Sequence, residues 1–207
     1  EIYTLSLHDA LPIFGAFLNS GLISPSTALS MSLAKASYMV AGQSSEQMDA
    51  SRDQLSSMVT GWDVNQVKQI ANDTLHTVVA PTIYAEARDL IAHHLAAGHD
   101  VVIISASATV LVEPIAKELG VRTVIATKLE ETDGKFTGNI SFYCKGAAKA
   151  EAIRTLAARN GYNLAASYAY SDSATDLPML ETVGHPIAVN PDRAAPKIGR
   201  ASCRERV

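Results

Sequence analysis

The chain reads as an α/β protein, with a mostly parallel sheet preceded by a helical block and carrying one small β-hairpin. Three observations predict this. Apolar residues recur at helical spacing from Phe14 to Leu95. At Gly98 the texture switches to continuous β-branched runs, starting with 100-DVVIIS-105, the composition of a strand buried on both faces. Strand-like and helix-like stretches then alternate, as βαβ units with right-handed crossovers do.

Taken in order, the leader 2-IYTLSL-7 is apolar and β-prone, and it is expected to take the first, central strand position that the sheet otherwise lacks. One helix runs through Leu29, Leu33, Ala36, Met39 and Val40. A second follows Ser44-Ser45 with Met48, Leu55 and Val59, and a third follows Trp62-Asp63 with Val67, Ile70, Ala71 and Leu75. Pro81 opens a fourth through 90-LIAHHLAA-97, which Gly98 closes as a residue tolerant of positive φ. After the strand 100-DVVIIS-105 come a helix from Thr109 to Leu119 and the strand 121-VRTVIAT-127. In 129-LEETDGKFTGNISFY-143 the pair Asp133-Gly134 separates two alternating segments, a hairpin signal. A helix from Ala147 to Arg159 ends before Gly161. The strand 167-SYAYSD-172, a helix from Asp176 and the strand 186-PIAVN-190 complete the core. The expected organisation is a leader at 1–13, a helical region at 14–97, an α/β core at 98–198 and a tail at 199–207.

At 207 residues and 22.0 kDa the chain suffices for one α/β domain with an insertion. A net charge of -4 and a pI of about 5.8, with scattered Lys and Arg, argue against a nucleic-acid partner. Cys144 and Cys203 show neither CxxC nor metal-ligand spacing, which predicts no disulfide and suits a reducing, cytoplasmic setting. The run 26-STALSMSLAKASYMVAG-42 is interrupted by serines and Lys35, and is shorter than the roughly 20 residues of a membrane span. The ends read as foreign. Residues 1–13 begin without Met and lack the features of a signal peptide, and 199-GRASCRERV-207 turns abruptly to Arg and Cys. Both resemble translated sequencing-adapter sequence, so the expectation is a replaced natural N-terminus.

In open parallel sheets the C-terminal strand ends line the ligand crevice. Two strands here end in polar groups, Ser105 and Asp172. Asp172 and Asp176, four apart across a tight loop, can face one site and offer oxygen ligands to a hard cation, with Mg²⁺ the best fit. Asp176 alone also suits a helix cap, and Ser105 a turn. Lys149 starts a helix, where a cation gains nothing from the helix dipole; it reads by default as a solvated surface lysine, with service to an anion as the alternative that this placement raises. His93 and His94 are adjacent and face different ways, and neither they nor His76, His99 and His185 show metal spacing. Trp62 reads as an anchor within the helical block, and Cys144, lacking a nearby His and basic context, as inert.

Ser105, Lys149, Asp172 and Asp176, in this order and spacing, resemble the haloacid-dehalogenase (HAD) superfamily, subclass IB, whose members are phosphoserine-phosphatase-like hydrolases. The resemblance spans about Phe14 to Pro196 and is strongest in 100-DVVIISAS-107, 145-KGAAKAEAI-153, 168-YAYSDSATDLPMLETVG-184 and 187-IAVNPD-192. It implies a Rossmann-like core under a helical cap, and an Mg²⁺-dependent phosphomonoester hydrolase acting on a small phosphorylated metabolite through an aspartyl-phosphate. It also implies roles: Ser105 hydrogen-bonds the transferring phosphoryl group, Lys149 neutralises its charge, Asp172 binds Mg²⁺ and Asp176 supports the metal. Arg52 lies roughly where such caps contact a substrate carboxylate. The family's nucleophile and its acid-base partner come from a DxDxT motif after the first strand, and this chain has none. Asp9 in 7-LHDALPI-13 is followed by Leu11 and Ile13 where the second acid and the Thr belong. The chain as written is therefore expected to be inactive. The alternative is a non-catalytic phosphate- or metal-binding protein of the same fold.

Overall fold

The computed structural model describes residues 2–6, 14–27, 52–53 and 56–189. The helix expected through Leu29 to Val40, most of the one after Ser44-Ser45, the segment around Asp9 and the tail from 199 lie outside these residues. The strands are β1 (Ile2–Ser6), β2 (Asp100–Ala108), β3 (Thr123–Thr132), β4 (Lys135–Phe142), β5 (Tyr168–Ser171) and β6 (His185–Ala188). They form a six-stranded sheet in the order β4-β3-β2-β1-β5-β6. All neighbours are parallel except the β3–β4 hairpin. The leader does take the central place: Ile2 pairs with Asp100 of β2 through to Ser6 with Ile104, and Tyr3 to Leu5 pair with Tyr168 to Tyr170 of β5.

The described helices are α1 (Phe14–Asn19), α2 (Val64–Thr74), α3 (Ala85–Ala96), α4 (Thr109–Glu118), α5 (Ala147–Asn160) and the short α6 (Leu177–Leu180). The side chains of β2 divide between two apolar layers. Val101 and Ile103 face Ile91 of α3 and Val112 and Ala116 of α4. Val102 and Ile104 face Ile153 and Ala157 of α5 and Met179 and Leu180 next to β5. This two-sided burial is why the strand is an unbroken aliphatic run, and each such side chain stabilises the fold by roughly 1.5–3 kcal/mol.

A third cluster joins Phe17 and Ile23 to Val64, Val67 and Ala71 of α2 and to Phe136 of β4. Trp62 packs edge-on against Phe17, with ring centroids 5.4 Å apart, the anchoring role read from the sequence. The hairpin is stitched to this helical layer through its backbone. Gly61 N–H donates to the Phe136 carbonyl at 2.8 Å, Phe136 N–H to Trp62 at 3.0 Å and Val64 N–H to Gly134 at 2.9 Å. Asp133 and Gly134 both have positive φ, 51° and 74°, as the predicted hairpin turn demands.

The structure corrects three sequence expectations. The expected strand 121–127 and the first hairpin arm are one strand, β3, which passes without a turn from parallel pairing with β2 up to Thr127 to antiparallel pairing with β4 from Lys128, through bulges between Lys128 and Glu131. Pro81 does not open a long helix: α2 continues into a π-type turn at Leu75–Val79, Ala80–Thr82 form a 3₁₀ turn, and α3 starts at Ala85. The helical region 14–97 is also not one layer. Its last helix, α3, belongs to the sheet, since Ile91 is buried against Val101 and Ile103 while α1 and α2 pack on the hairpin. Among the described residues no helix is long and apolar enough to cross a membrane.

Two glycines make opposite predictions. A Cβ on Gly184 would run into the Ala165 carbonyl, a backbone group that cannot swing away, so Gly184→Ala should destabilise by roughly 2 kcal/mol or more. Gly15 lies exposed in α1 with nothing nearby, so Gly15→Ala should stabilise by about 0.5–1 kcal/mol through the unfolded state and helix propensity. Urea denaturation of both variants is the measurement.

Candidate functional site

The site sits at the C-terminal pole of the sheet. There β2 and β5 end, and the chain leaves β1 after Ser6, level with Ile104. Lys149 and Asp176 are buried at this pole, each about 1% exposed, and form an ion pair. Lys149 Nζ lies 2.7 Å from Asp176 Oδ1 and 2.9 Å from Oδ2. The Ser171 hydroxyl, the last polar group of β5, donates to Oδ2 at 2.8 Å.

Local sequence explains how each group arrives. Gly146, with φ 52°, turns the chain into α5, and Lys149 occupies the first turn, where side chains lean back toward the helix start and so toward the pole. A cation there opposes the helix dipole, and the Asp176 carboxylate offsets this. The loop after β5 is held by its own hydroxyls. Ser171 Oγ accepts from Ser173 N–H at 3.2 Å, and Ser173 Oγ accepts from Thr175 N–H at 3.3 Å. The turn directs Asp176 inward and leaves Asp172 exposed at the rim.

Ser105 is wholly buried at the end of the aliphatic run, and its Oγ accepts from Ser107 N–H at 3.1 Å. Cys144 ties Ser105 to the ion pair: its thiol takes a backbone hydrogen bond from Ser105 and feels the charges of Lys149 and Asp176. Burial dominates there and pushes the thiol from 9.0 up to about 11, against the smaller opposing effect of Lys149. Cys144 is thus a neutral thiol near pH 7, in keeping with the inert role expected of it. Thr127 laces the same corner, donating to the Ala106 carbonyl at 2.7 Å and accepting from Cys144 N–H at 3.2 Å.

Of the residues singled out in the sequence, Ser105, Lys149 and Asp176 come together in the interior, and Asp172 stands at the rim above them. Asp172 and Asp176 do not present themselves alike, as their spacing suggested: both Asp176 oxygens are engaged by Lys149, and one by Ser171 as well. Arg52, from the helical region, lies with its guanidinium 5.1 Å from the centroid of Tyr143, the residue before Cys144, and pairs with Asp53 at 2.6 Å. Ser171, Thr127 and Tyr143 were missed in the sequence because a polar residue at a strand end reads equally as a turn. The one available signal was that Ser171 and Thr127 each follow a short apolar run, as Ser105 does.

Residues 3–181 match the family model of haloacid dehalogenase-like hydrolases. A probable phosphatase of Mycobacterium tuberculosis is 50% identical over 181 residues, covering 87% of this chain and 63% of that protein. A phosphoserine phosphatase of the same organism is 34% identical over 169 residues, covering 81% of this chain and 55% of its own length. The chain therefore spans less than two thirds of these relatives. Among solved structures, a protein of unknown function from Bordetella pertussis Tohama I superposes with a TM-score of 0.76 at 26% identity, over 93% of this chain and 90% of that one.

Removing one partner of the ion pair should cost far more than removing both. Lys149→Met leaves a buried carboxylate without its cation and should cost about 3–5 kcal/mol, whereas Lys149→Met with Asp176→Leu should recover most of that loss. A double variant as unstable as the sum of the singles would show that the pair is not coupled. For Cys144 the raised folded-state value means that the neutral thiol's contribution is intact below pH 9.0 and is lost between there and about 11, as the unfolded chain deprotonates first. Denaturation curves of wild type and Cys144→Ala should converge across that window.

Proposed function

The chain belongs to the haloacid dehalogenase-like hydrolase family, and on that premise we propose that its site serves Mg²⁺-dependent hydrolysis of a phosphomonoester, of the phosphoserine-phosphatase kind. The observation that carries this reading is the buried Lys149–Asp176–Ser171 cluster beside Ser105, at the pole where parallel strands end. A cation held inside the protein beside a carboxylate, at the pole where parallel strands end, is placed to meet an anionic ligand, and a phosphoryl group suits it.

In this reading Lys149 offsets the charge on the phosphoryl oxygens, and the Ser105 hydroxyl, oriented by Ser107 N–H, hydrogen-bonds one of them. Asp176 acts through Lys149, fixing the position of Nζ with both oxygens, rather than as a direct metal ligand. Asp172 is the exposed hard-oxygen donor that would hold Mg²⁺, and one carboxylate supplemented by water and substrate phosphate is a shell that this ion accepts. The ion when bound supplies further charge neutralisation. The substrate is a small phosphorylated metabolite of the cytoplasm. Arg52, beside Tyr143, contacts its carboxylate.

The nucleophile is the element in question. β1 ends at Ser6, level with Ile104, and 7-LHDALPI-13 follows it in sequence, where the family carries its DxDxT motif. That segment holds one acid, Asp9. We therefore assign the chain as written to binding without turnover, since Asp9 stands without the DxDxT pattern, having Leu11 and Ile13 where the acid-base partner and the Thr belong. This missing motif also favours the second reading, a non-catalytic phosphate- or metal-binding protein of the same fold.

The chain as written should hydrolyse p-nitrophenyl phosphate no faster than background and bind Mg²⁺ only at millimolar concentrations or weaker. A DxDxT segment grafted after β1 should restore Mg²⁺-dependent hydrolysis. In that background Asp172→Asn should abolish it and Lys149→Ala should cost on the order of 10²-fold or more, comparable to loss of other preorganised charge-stabilising groups. Arg52→Ala should raise KM for a carboxylate-bearing phosphomonoester but not for p-nitrophenyl phosphate. A grafted, folded protein that binds Mg²⁺ yet hydrolyses nothing would favour the binding reading. Activity of the ungrafted chain that survives Asp9→Asn would overturn the site assignment.

A further inference from the structure

The opposite pole carries a feature that the hydrolytic site does not use. Helix α3 ends in a Schellman motif. His99 N–H donates to the His94 carbonyl at 3.0 Å, Gly98 N–H donates to Leu95 at 3.1 Å, and Gly98 takes φ 79°. This cap folds the chain back, so that the side chains three residues before and two after the helix end touch. In most such caps that contact is hydrophobic. Here it is between two imidazoles, with His94 Nδ1 3.2 Å from His99 Nδ1. His94 is 9% exposed, and His99 lies at the surface edge just ahead of β2. Tyr168, at the start of β5, lies beside His94 with ring centroids 6.2 Å apart, and His185 stacks on Tyr168 at 4.4 Å.

We propose that His94 and His99 form a two-imidazole site for a divalent transition-metal ion of the zinc and copper class. Two nitrogens bound at ~2.0–2.1 Å to a tetrahedral ion lie about 3.3–3.4 Å apart, close to the separation that the cap already imposes. The Schellman bonds position both residues whether or not a metal is present, and each ring turns away from the Nδ1–Nδ1 hydrogen bond to aim its lone pair at the ion. The C-terminal end of a helix is its electronegative end, and several backbone carbonyls converge there, which favours a cation. Imidazole donors select zinc-class ions over Mg²⁺, so the two poles differ in the metals they accept. When both rings are neutral, the one carrying its proton on Nδ1 moves it to Nε2 as the ion enters, with no net proton release. Among the described residues no third His, Cys, Asp or Glu gathers with the pair to complete a metal-binding group. Five residues of strand, roughly 16 Å, separate this site from Ser105.

The test uses the full chain, stripped of metal by dialysis against a chelator and carrying Asp172→Asn to silence the oxygen site. Copper(II) is followed by electron paramagnetic resonance and zinc(II) by calorimetry. One equivalent of copper should bind with superhyperfine splitting from two imidazole nitrogens. His94→Leu with His99→Leu should remove that signal and lower zinc affinity roughly tenfold or more. Because the cap accepts an apolar pair at these positions, the double variant should melt no lower than its parent, which separates loss of metal from loss of fold. His93→Gln and His185→Gln should bind as the parent does. A nitrogen signature that persists in the leucine double variant, or a parent protein that binds copper without imidazole nitrogens, would overturn the assignment.

Discussion

The buried pair of Lys149 and Asp176 is the constraint around which the C-terminal pole of the sheet is arranged. Two opposite charges removed from water must find each other and satisfy their remaining hydrogen-bonding capacity, or the fold bears several kcal/mol of desolvation. Meeting that demand ties the first turn of α5 to the loop before α6, 27 residues later in the chain. It also enlists Ser171 from the end of β5, so that helix, strand and loop are fixed to one another at a single carboxylate. Around it, Cys144 is buried in the apolar layer within reach of the pair's charges and stays a thiol, and Asp172, on the same loop as Asp176, is exposed.

A second layer of order comes from the hairpin. β3 runs from the sheet out into the hairpin, and Phe136 of β4 is buried among side chains of the helical layer. Backbone bonds from Gly61, Val64 and Phe136, together with the Asp63–Lys135 bridge, couple that layer to the hairpin tip. Gly138 has φ 87°, and a Cβ there would collide with the Thr60 side chain, so the approach of α2's lead-in to β4 depends on a residue without one. Arg52 reaches Tyr143 from this helical side, and this brings the helical layer next to the residue that precedes Cys144.

The two poles of the sheet are built from different chemistry. At one, hydroxyls, carboxylates and an ammonium suit hard, anionic ligands and a hard cation. At the other, imidazole and phenol rings cluster where β2, β5 and β6 begin. The parallel arrangement produces this separation, because every parallel strand begins at one pole and ends at the other.

The sequence by itself determined the fold class, the central place of 2-IYTLSL-7, the hairpin turn at Asp133-Gly134 and the grouping of Ser105, Lys149 and Asp176. The first three are written in local composition, since an aliphatic run needs two covered faces and a turn with positive φ needs Asp-Gly, whereas the grouping, made with Asp172 as a fourth member, rested on the resemblance of their order and spacing to the haloacid-dehalogenase superfamily. Tertiary structure alone decided which face each group shows. Asp172 and Asp176 look equivalent as letters, yet the hydroxyl-laced loop buries one and exposes the other. α3 reads as part of the helical block, and only its packing of Ile91 on β2 assigns it to the core. His94 and His99 have no metal spacing along a straight helix. They meet because a left-handed glycine reverses the chain between them, and such a reversal changes distance in space without leaving a periodicity in the sequence.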